Sequence, residues 1–317
     1  MLIQILILVC GLALTVLGAD WLVDGASSVA KKLGVSDFVI GLTIVGFGTS
    51  CPELVVSLTG AIQGNADISV GNVVGSNIMN TLLILGLTAL LYPITITESN
   101  KKKDIPVNLV VIFLFIMMGM NYTFFHIGAS DGIMRWEAAV MLLVFIAYIY
   151  SSFKSDSGAE DVPEKQFSTA AAIGLCLLGL GSLVIGGRLF VQSATSIARL
   201  IGVSNKFIAI TVLAGGTSLP ELVTCIVAAA KHKEQIALGN IIGSNIFNIL
   251  LILGISALVT PLSLASMDFV DMLVLLLSGV LLWVCTYTGD RSKMDRWEGF
   301  ILLAVYAAYM VRLFSKL

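Results

Sequence analysis

Glu53 and Glu221 lie inside long apolar runs, and each closes a segment rich in oxygen-bearing side chains. The first reads Gly41-Leu-Thr-Ile-Val-Gly-Phe-Gly-Thr-Ser-Cys-Pro-Glu-Leu54, followed by Gly71-Asn-Val-Val-Gly-Ser-Asn-Ile-Met-Asn80. The second reads Ala209-Ile-Thr-Val-Leu-Ala-Gly-Gly-Thr-Ser-Leu-Pro-Glu-Leu222, followed by Gly239-Asn-Ile-Ile-Gly-Ser-Asn-Ile-Phe-Asn248. On a helix, Gly46, Thr49 or Ser50, and Glu53 fall on one face, as do Asn72, Ser76 and Asn80. The copies are Ala214, Thr217, Ser218 and Glu221, then Asn240, Ser244 and Asn248. Every side-chain ligand offered is a carboxylate, hydroxyl or amide oxygen, which suits Na⁺, Ca²⁺ or Mg²⁺ and disfavours soft metals. Two carboxylates balance one divalent ion. Asparagine and serine in apolar helices also serve as interhelical hydrogen-bonding groups. That reading is preferred for Asn72, Asn77, Asn240 and Asn245, and ligation for Ser76, Asn80, Ser244 and Asn248.

Each motif also breaks its own helix. Pro52 has no N–H and frees the carbonyl of Gly48; Pro220 does the same for Gly216. Freed backbone at membrane depth is tolerated where it is buried or lines a cavity. A single proline kink would be unremarkable, but here two kinks are each followed at once by a glutamate. A charge at the bilayer centre costs at least about 2.5–3.5 kcal/mol on insertion scales. No Lys or Arg neighbours Glu53 or Glu221 in its own run, so a bound cation is the natural counter-ion.

The elements that position these residues must be membrane helices. Of 317 residues, 57% are hydrophobic and 12% charged, with a mean hydropathy of +0.99; soluble domains carry about 25% charged residues. The net charge of −2 comes without a basic stripe, so nucleic acid is not a partner. The five cysteines lie in apolar runs without a CxxC pair and read as reduced thiols, with no zinc site. The N-terminal run lacks a basic flank and a cleavage site and reads as a retained helix. A spanning helix needs about 20 apolar residues. Ten candidates occur, at 2–29, 37–63, 68–92, 105–121, 133–152, 168–198, 205–231, 236–260, 268–287 and 296–315. A transmembrane barrel would alternate polar and apolar residues in strands of about ten, whereas these runs are continuously apolar.

Lys and Arg placement sets the orientation. With the N-terminus outside, twelve of these residues fall in cytoplasmic loops, including Lys31, Lys32 and Lys101 to Lys103, and five fall outside. Both termini are therefore expected outside the membrane.

The two motif segments are related by a constant offset of 168 residues, which also maps Gly34-Val35-Ser36 onto Gly202-Val203-Ser204. Five spans separate the copies, and an odd number inverts the second. The expected organisation is an all-α integral membrane protein with one five-helix repeat at 1–152, a short cytoplasmic linker at 153–167 and an inverted five-helix repeat at 168–317. Inverted repeats with a site near the midplane mark secondary transporters.

Gly48-Thr-Ser-Cys-Pro-Glu53 with Gly71-Asn-Val-Val-Gly-Ser-Asn77, and the matching pair ending at Glu221 and Asn245, resemble the two α-repeats of the cation/calcium exchanger superfamily, most closely its prokaryotic sodium/calcium exchanger branch. The resemblance covers the whole chain. It implies eight core helices fronted by two long tilted ones, here spans 1 and 6, which slide across the core to alternate access. It implies that Glu53 and Glu221 hold Ca²⁺ with backbone oxygens of Thr49 and Thr217. Gly46, Ser50 and Ser76 would serve Na⁺ on one side, Ala214, Ser218 and Ser244 on the other, and Asn80 and Asn248 would complete the centre. The substrates would be Ca²⁺ and Na⁺, without cofactor, and the location a prokaryotic plasma (inner) membrane; no protein partner is inferable.

One departure stands out: archaeal-type and potassium-dependent exchangers have aspartate where this chain has Asn248. Two carboxylates rather than three weaken the case for K⁺ co-transport. The linker is too short for the calcium-sensing domain of animal exchangers. Asp20 and Arg188, at equivalent positions of spans 1 and 6, read as interfacial or ion-paired charges. The alternative function is a H⁺/Ca²⁺ or other cation exchanger on the same scaffold, since glutamates accept protons. A passive channel fits a two-fold pair with one buried site less well. An intramembrane enzyme fits least, because His126 and His232 lie near loops and no base adjoins the buried Thr-Ser pairs.

Overall fold

The computed structural model describes residues 1–126, 130–154, 156, 158, 167–201, 215–264, 267–289 and 292–315. Over these residues the regular structure is helical apart from two minimal ribbons. The helices are α1 (Leu2–Leu33), α2 (Asp37–Thr49), α3 (Cys51–Ile62), α4 (Ala66–Leu91), α5 (Ile105–Gly119), the short α6 (Asn121–Phe125), α7 (Arg135–Lys154), α8 (Thr169–Leu200), α9 (Leu219–Ala230), α10 (Glu234–Val259), α11 (Phe269–Cys285) and α12 (Arg296–Ser315). Six are long and apolar enough to cross a membrane, and α2 with α3 make a seventh if that bent pair is one span. The first part of the expected span 205–231, up to Ala214, lies outside the described residues, as do Gly202 to Ser204 and most of the linker 153–167.

Local chemistry sets the ends. Gly34 takes a left-handed φ of 67°, and the N–H of Val35 returns to the carbonyl of Ala30 at 3.0 Å, which stops α1. Ser36 then caps α2 by accepting the N–H of Val39 at 3.3 Å. The expected proline kink is present: α2 and α3 are bent by 49°, with Ser50 at the break and Pro52 in the first turn of α3.

The two motif-bearing helices form the centre. In α4 and α10, 78% and 83% of the most apolar window is buried, against 22% and 33% in α1 and α8. The outer pair carries its apolar side chains toward lipid, which is why so many leucines and isoleucines there are exposed. At 32 residues each, these two helices run about 48 Å, longer than a bilayer core of about 30 Å, so they must tilt.

They also lock together along a glycine seam. A Cβ on Gly18 would sit 2.8 Å from the carbonyl oxygen of Gly179, one on Gly179 2.7 Å from that of Gly18, and one on Gly186 2.7 Å from that of Gly11. A Cβ on Gly25 would lie 2.8 Å from the Ala172 carbonyl oxygen. Glycines seven residues apart on α1 thus bring two antiparallel backbones into contact. Lys231, beyond the end of α9, ties α1 to the core: its Nζ lies 2.6 Å from Asp20 Oδ1 and 2.5 Å from Asp24 Oδ1. Asp20 is therefore ion-paired, while Arg188 is exposed.

Two ribbons join loops that follow different helices. β1 (Ile94–Thr95) pairs antiparallel with β4 (Lys293–Met294), and β2 (Gly132–Ile133) with β3 (Leu262–Ser263). The five cysteines are free; Cys176, Cys225 and Cys285 are buried, whereas Cys10 is exposed on α1.

Candidate cation-binding site

Glu53 stands in the first turn of α3, just after the break at Ser50, and Glu221 in the first turn of α9, and both are 1% exposed. Their supports cross between the two motifs. Ser50 Oγ donates to Glu221 Oε1 at 3.0 Å, and Ser218 Oγ donates to Glu53 Oε1 at 3.0 Å. Ser76 Oγ lies 3.4 Å from Glu53 Oε1 and 3.3 Å from Ser218 Oγ. The hydroxyls of Ser50 and Ser218 thus each reach the carboxylate of the other motif, while Ser76 reaches that of its own. Among the described residues, neither glutamate forms an ion pair with Lys or Arg.

Four oxygens remain. Glu53 Oε2, Glu221 Oε2, Asn80 Oδ1 and Asn248 Oδ1 are buried and have no hydrogen-bond partner among the described residues. Two are carboxylate oxygens and two are amide carbonyl oxygens, and they come in repeat-related pairs. A buried acceptor left unpaired costs about 1–3 kcal/mol, more when charged, so buried acceptors of this kind call for a cation. All four are hard donors of the type that Ca²⁺ and Na⁺ take.

The asparagine amides are turned by their neighbours. Asn80 Nδ2 donates to Asn245 Oδ1 at 3.3 Å and Asn248 Nδ2 to Asn77 Oδ1 at 2.9 Å. Asn77 Nδ2 donates to the main-chain carbonyl of Asn245 at 3.1 Å, and Asn245 Nδ2 to Thr81 Oγ1 at 2.9 Å. The backbone widens here: π-turns run over Met79–Leu85 and Phe247–Leu253, each opening one residue before the asparagine. Such turns recur at functional sites, and no period in the sequence announces them.

On the flank, the Gly46 carbonyl accepts the Ser50 N–H at 3.1 Å and the hydroxyls of Thr49 and Ser244 at 3.4 Å each. Thr49 Oγ1 donates to Asn240 Oδ1 at 3.0 Å. Thr217 Oγ1 is buried and has no hydrogen-bond partner within bonding distance among the described residues. Ala214 lies outside the described residues. The four asparagines read as hydrogen-bonding groups do bridge helices. Asn72 Nδ2 reaches the Glu53 carbonyl at 3.2 Å and Ser57 Oγ at 2.9 Å, and Asn240 Nδ2 reaches Cys225 Sγ at 3.3 Å.

One set of residues escaped sequence reasoning. A Cβ on Gly239 or Gly243 would fall inside the van der Waals shell of the Phe38 or Leu42 carbonyl oxygen, and one on Gly41 would lie 2.6 Å from that of Ile236. These glycines seat α10 against α2 and so bring Asn240 and Ser244 to Thr49 and Gly46. The signal was present as Gly239-x-x-x-Gly243, the small-residue spacing of close membrane helix crossings.

The chain matches the sequence profile described as "Sodium/calcium exchanger protein" over residues 3–154 and 171–315. It is 38% identical to the sodium/calcium exchanger MaX1 of Methanosarcina acetivorans, over 98% of this chain and 99% of that protein. It is 36% identical to the inner membrane protein YrbG of Escherichia coli, over 82% of this chain and 81% of that one. A solved structure of the sodium-calcium exchanger NCX_Mj, soaked with Na⁺ and Ca²⁺, superposes with a TM-score of 0.84 at 33% identity, covering 98% of both chains. The chain belongs to the sodium/calcium exchanger family, in its prokaryotic branch, and is a membrane ion transporter without a cofactor rather than an enzyme.

Proposed function

We propose that the protein is a secondary active antiporter that exchanges Na⁺ for Ca²⁺ by alternating access, with Ca²⁺ held between Glu53 and Glu221. The observation that supports this most directly is the set of four buried, unpartnered oxygens on Glu53, Glu221, Asn80 and Asn248. Their formal charge of −2 matches one divalent ion. Backbone oxygens of Thr49 and Thr217 would add to that central site. Gly46, Ser50 and Ser76 would form a Na⁺ site on one side, and Ala214, Ser218 and Ser244 one on the other. The similarity to proteins named sodium/calcium exchangers supports the same pair of ions.

The decisive experiment is Ca²⁺ uptake into proteoliposomes under an imposed Na⁺ gradient, compared with an imposed pH gradient, with voltage clamped by ionophores. Uptake driven by Na⁺ and indifferent to K⁺ against choline outside is the expected result. A K⁺ beside Ca²⁺ would add an uncompensated charge, and Coulomb terms at 4 Å reach roughly 4 kcal/mol even at an effective dielectric of 20. A pH gradient that fully replaces Na⁺ would establish the proton-coupled alternative, and an absolute need for K⁺ would sink the two-carboxylate argument.

The architecture that goes with this function is ten spans in two inverted repeats, 1–152 and 168–317, in a prokaryotic inner membrane with both termini outside. The 168-residue relation among site contacts supports it: Ser50 to Glu221 and Ser218 to Glu53 are one contact made twice. Ribbons that join loops after spans 3 and 9, and after spans 4 and 8, support an alternation of faces. In a cysteine-free background, Asn65→Cys should react with a membrane-impermeant thiol reagent from outside. Labelling from the cytoplasmic side alone would reverse the orientation.

A further inference from the structure

Asn77 supplies no ligand in the proposed ion set, yet it is fully buried between α4 and α10 and bonded at both ends of its amide. An asparagine side chain has an acceptor oxygen on one branch and an NH₂ donor on the other, of almost the same shape. Only the oxygen can ligate a hard cation; the NH₂ turned inward would set two partly positive hydrogens against it. Which branch faces the ion is therefore decided by what the other branch touches.

For Asn248 that choice is forced through Asn77. The chain of bonds starts at the main-chain carbonyl of Asn245, a group that can only accept. It takes the Nδ2 of Asn77 at 3.1 Å, which leaves Asn77 Oδ1 as the branch facing Asn248. Asn248 must then offer its own Nδ2, at 2.9 Å, and its Oδ1 is left buried and free. The Asn80 side differs. Asn245, which holds Asn80, is itself held at 2.9 Å by the hydroxyl of Thr81, and a hydroxyl either donates or accepts. The repeat equivalent of Thr81 is Ile249, so the two halves anchor their amides by different means.

We infer that Asn77 is a positioning residue that fixes Asn248 with its carbonyl oxygen toward the transported cation. This rests on the proposed site, but it concerns the orientation of a ligand rather than the driving ion. A carboxylate at the same position would need no such control, because both of its branches are oxygen.

The test is a double-mutant cycle read as equilibrium binding of ⁴⁵Ca²⁺ to purified protein. Asn77→Ala is expected to weaken Ca²⁺ binding by about 10- to 100-fold, the usual effect of removing the group that orients a metal ligand. In the Asn248→Asp background the same substitution should cost no more than about threefold, since coupled neighbours depart from additivity in this way. An equal loss in both backgrounds would mean that Asn77 only maintains packing and would overturn the inference; so would the absence of any loss. If Asn77→Ala is not monodisperse, Asn77→Leu, closer in volume, enters the same cycle. Wild-type protein that binds Ca²⁺ but shows no Na⁺-driven flux would refute Na⁺ coupling, while the binding cycle would still decide the role of Asn77.

Discussion

Glu53→Gln and Glu221→Gln are each expected to lower Ca²⁺ transport by on the order of a thousandfold, with the protein still folded. Each removes one of the two negative charges proposed to face a divalent ion. A single unit-charge pair at 4 Å and an effective dielectric of 20 amounts to roughly 4 kcal/mol, or about three decades in binding. Folding should survive because glutamine keeps the Oε1 acceptor that Ser218 or Ser50 addresses at 3.0 Å. It also relieves the burial of two like charges, so the melting temperature should hold or rise. Uptake of ⁴⁵Ca²⁺ into Na⁺-loaded vesicles, paired with thermal melting of the purified variants, separates the two effects. Wild-type flux in either variant would refute a shared central ion.

The second large effect is expected from Gly243→Ala. The α10 backbone passes the Leu42 carbonyl oxygen with no room for a side chain, and that oxygen belongs to main chain that cannot swing aside. The added methyl must part α2 from α10, at a cost of about 1–3 kcal/mol for overpacking. The same displacement draws Ser244 from the Gly46 carbonyl and Asn240 from Thr49. Lower melting temperature and weaker cation binding are thus expected together. Unchanged values of both would show that the crossing tolerates a Cβ and that the glycine is not there for close approach.

The residues themselves show how far sequence reasoning reaches. Lipid admits few polar groups, so Glu53 and Glu221 stood out against their runs, and Pro52 marked a break that the structure places at Ser50. Helices lie on the apolar runs, but α1 extends to Leu33 rather than ending at 29, and α5 and α11, at 15 and 17 residues, are shorter than the expected spans 105–121 and 268–287. The π-turns at Met79 and Phe247 did not follow, because they depend on neighbours rather than on any local period. Amide orientation was equally hidden, since it depends on a carbonyl across the helix interface. A third omission was avoidable. Arg135-Trp136-Glu137 recurs as Arg296-Trp297-Glu298 at an offset of 161, seven short of the motif offset, so an ungapped comparison passes over it. Both glutamates are buried and cap their own helices, accepting the N–H of Met134 and of Asp295 at 2.7 Å.

The seam between α1 and α8 has the form of an isologous dimer interface. Gly11 meets Gly186 and Gly18 meets Gly179, and in repeat numbering these are the same pair seen from either partner. Ser50 with Glu221, and Asn77 with Asn248, obey the same rule through Ser218 with Glu53 and Asn245 with Asn80. In a true homodimer every substitution arrives twice, and the two faces stay equal in free energy. Joined in one chain, the halves vary singly: Cys51 answers to Leu219, Thr81 to Ile249, and Gln63 to Lys231 with its two aspartates. A carrier built this way is free to rest preferentially on one side of the membrane, and the Lys231 bridge has an uncharged glutamine, Gln63, at its repeat-equivalent position.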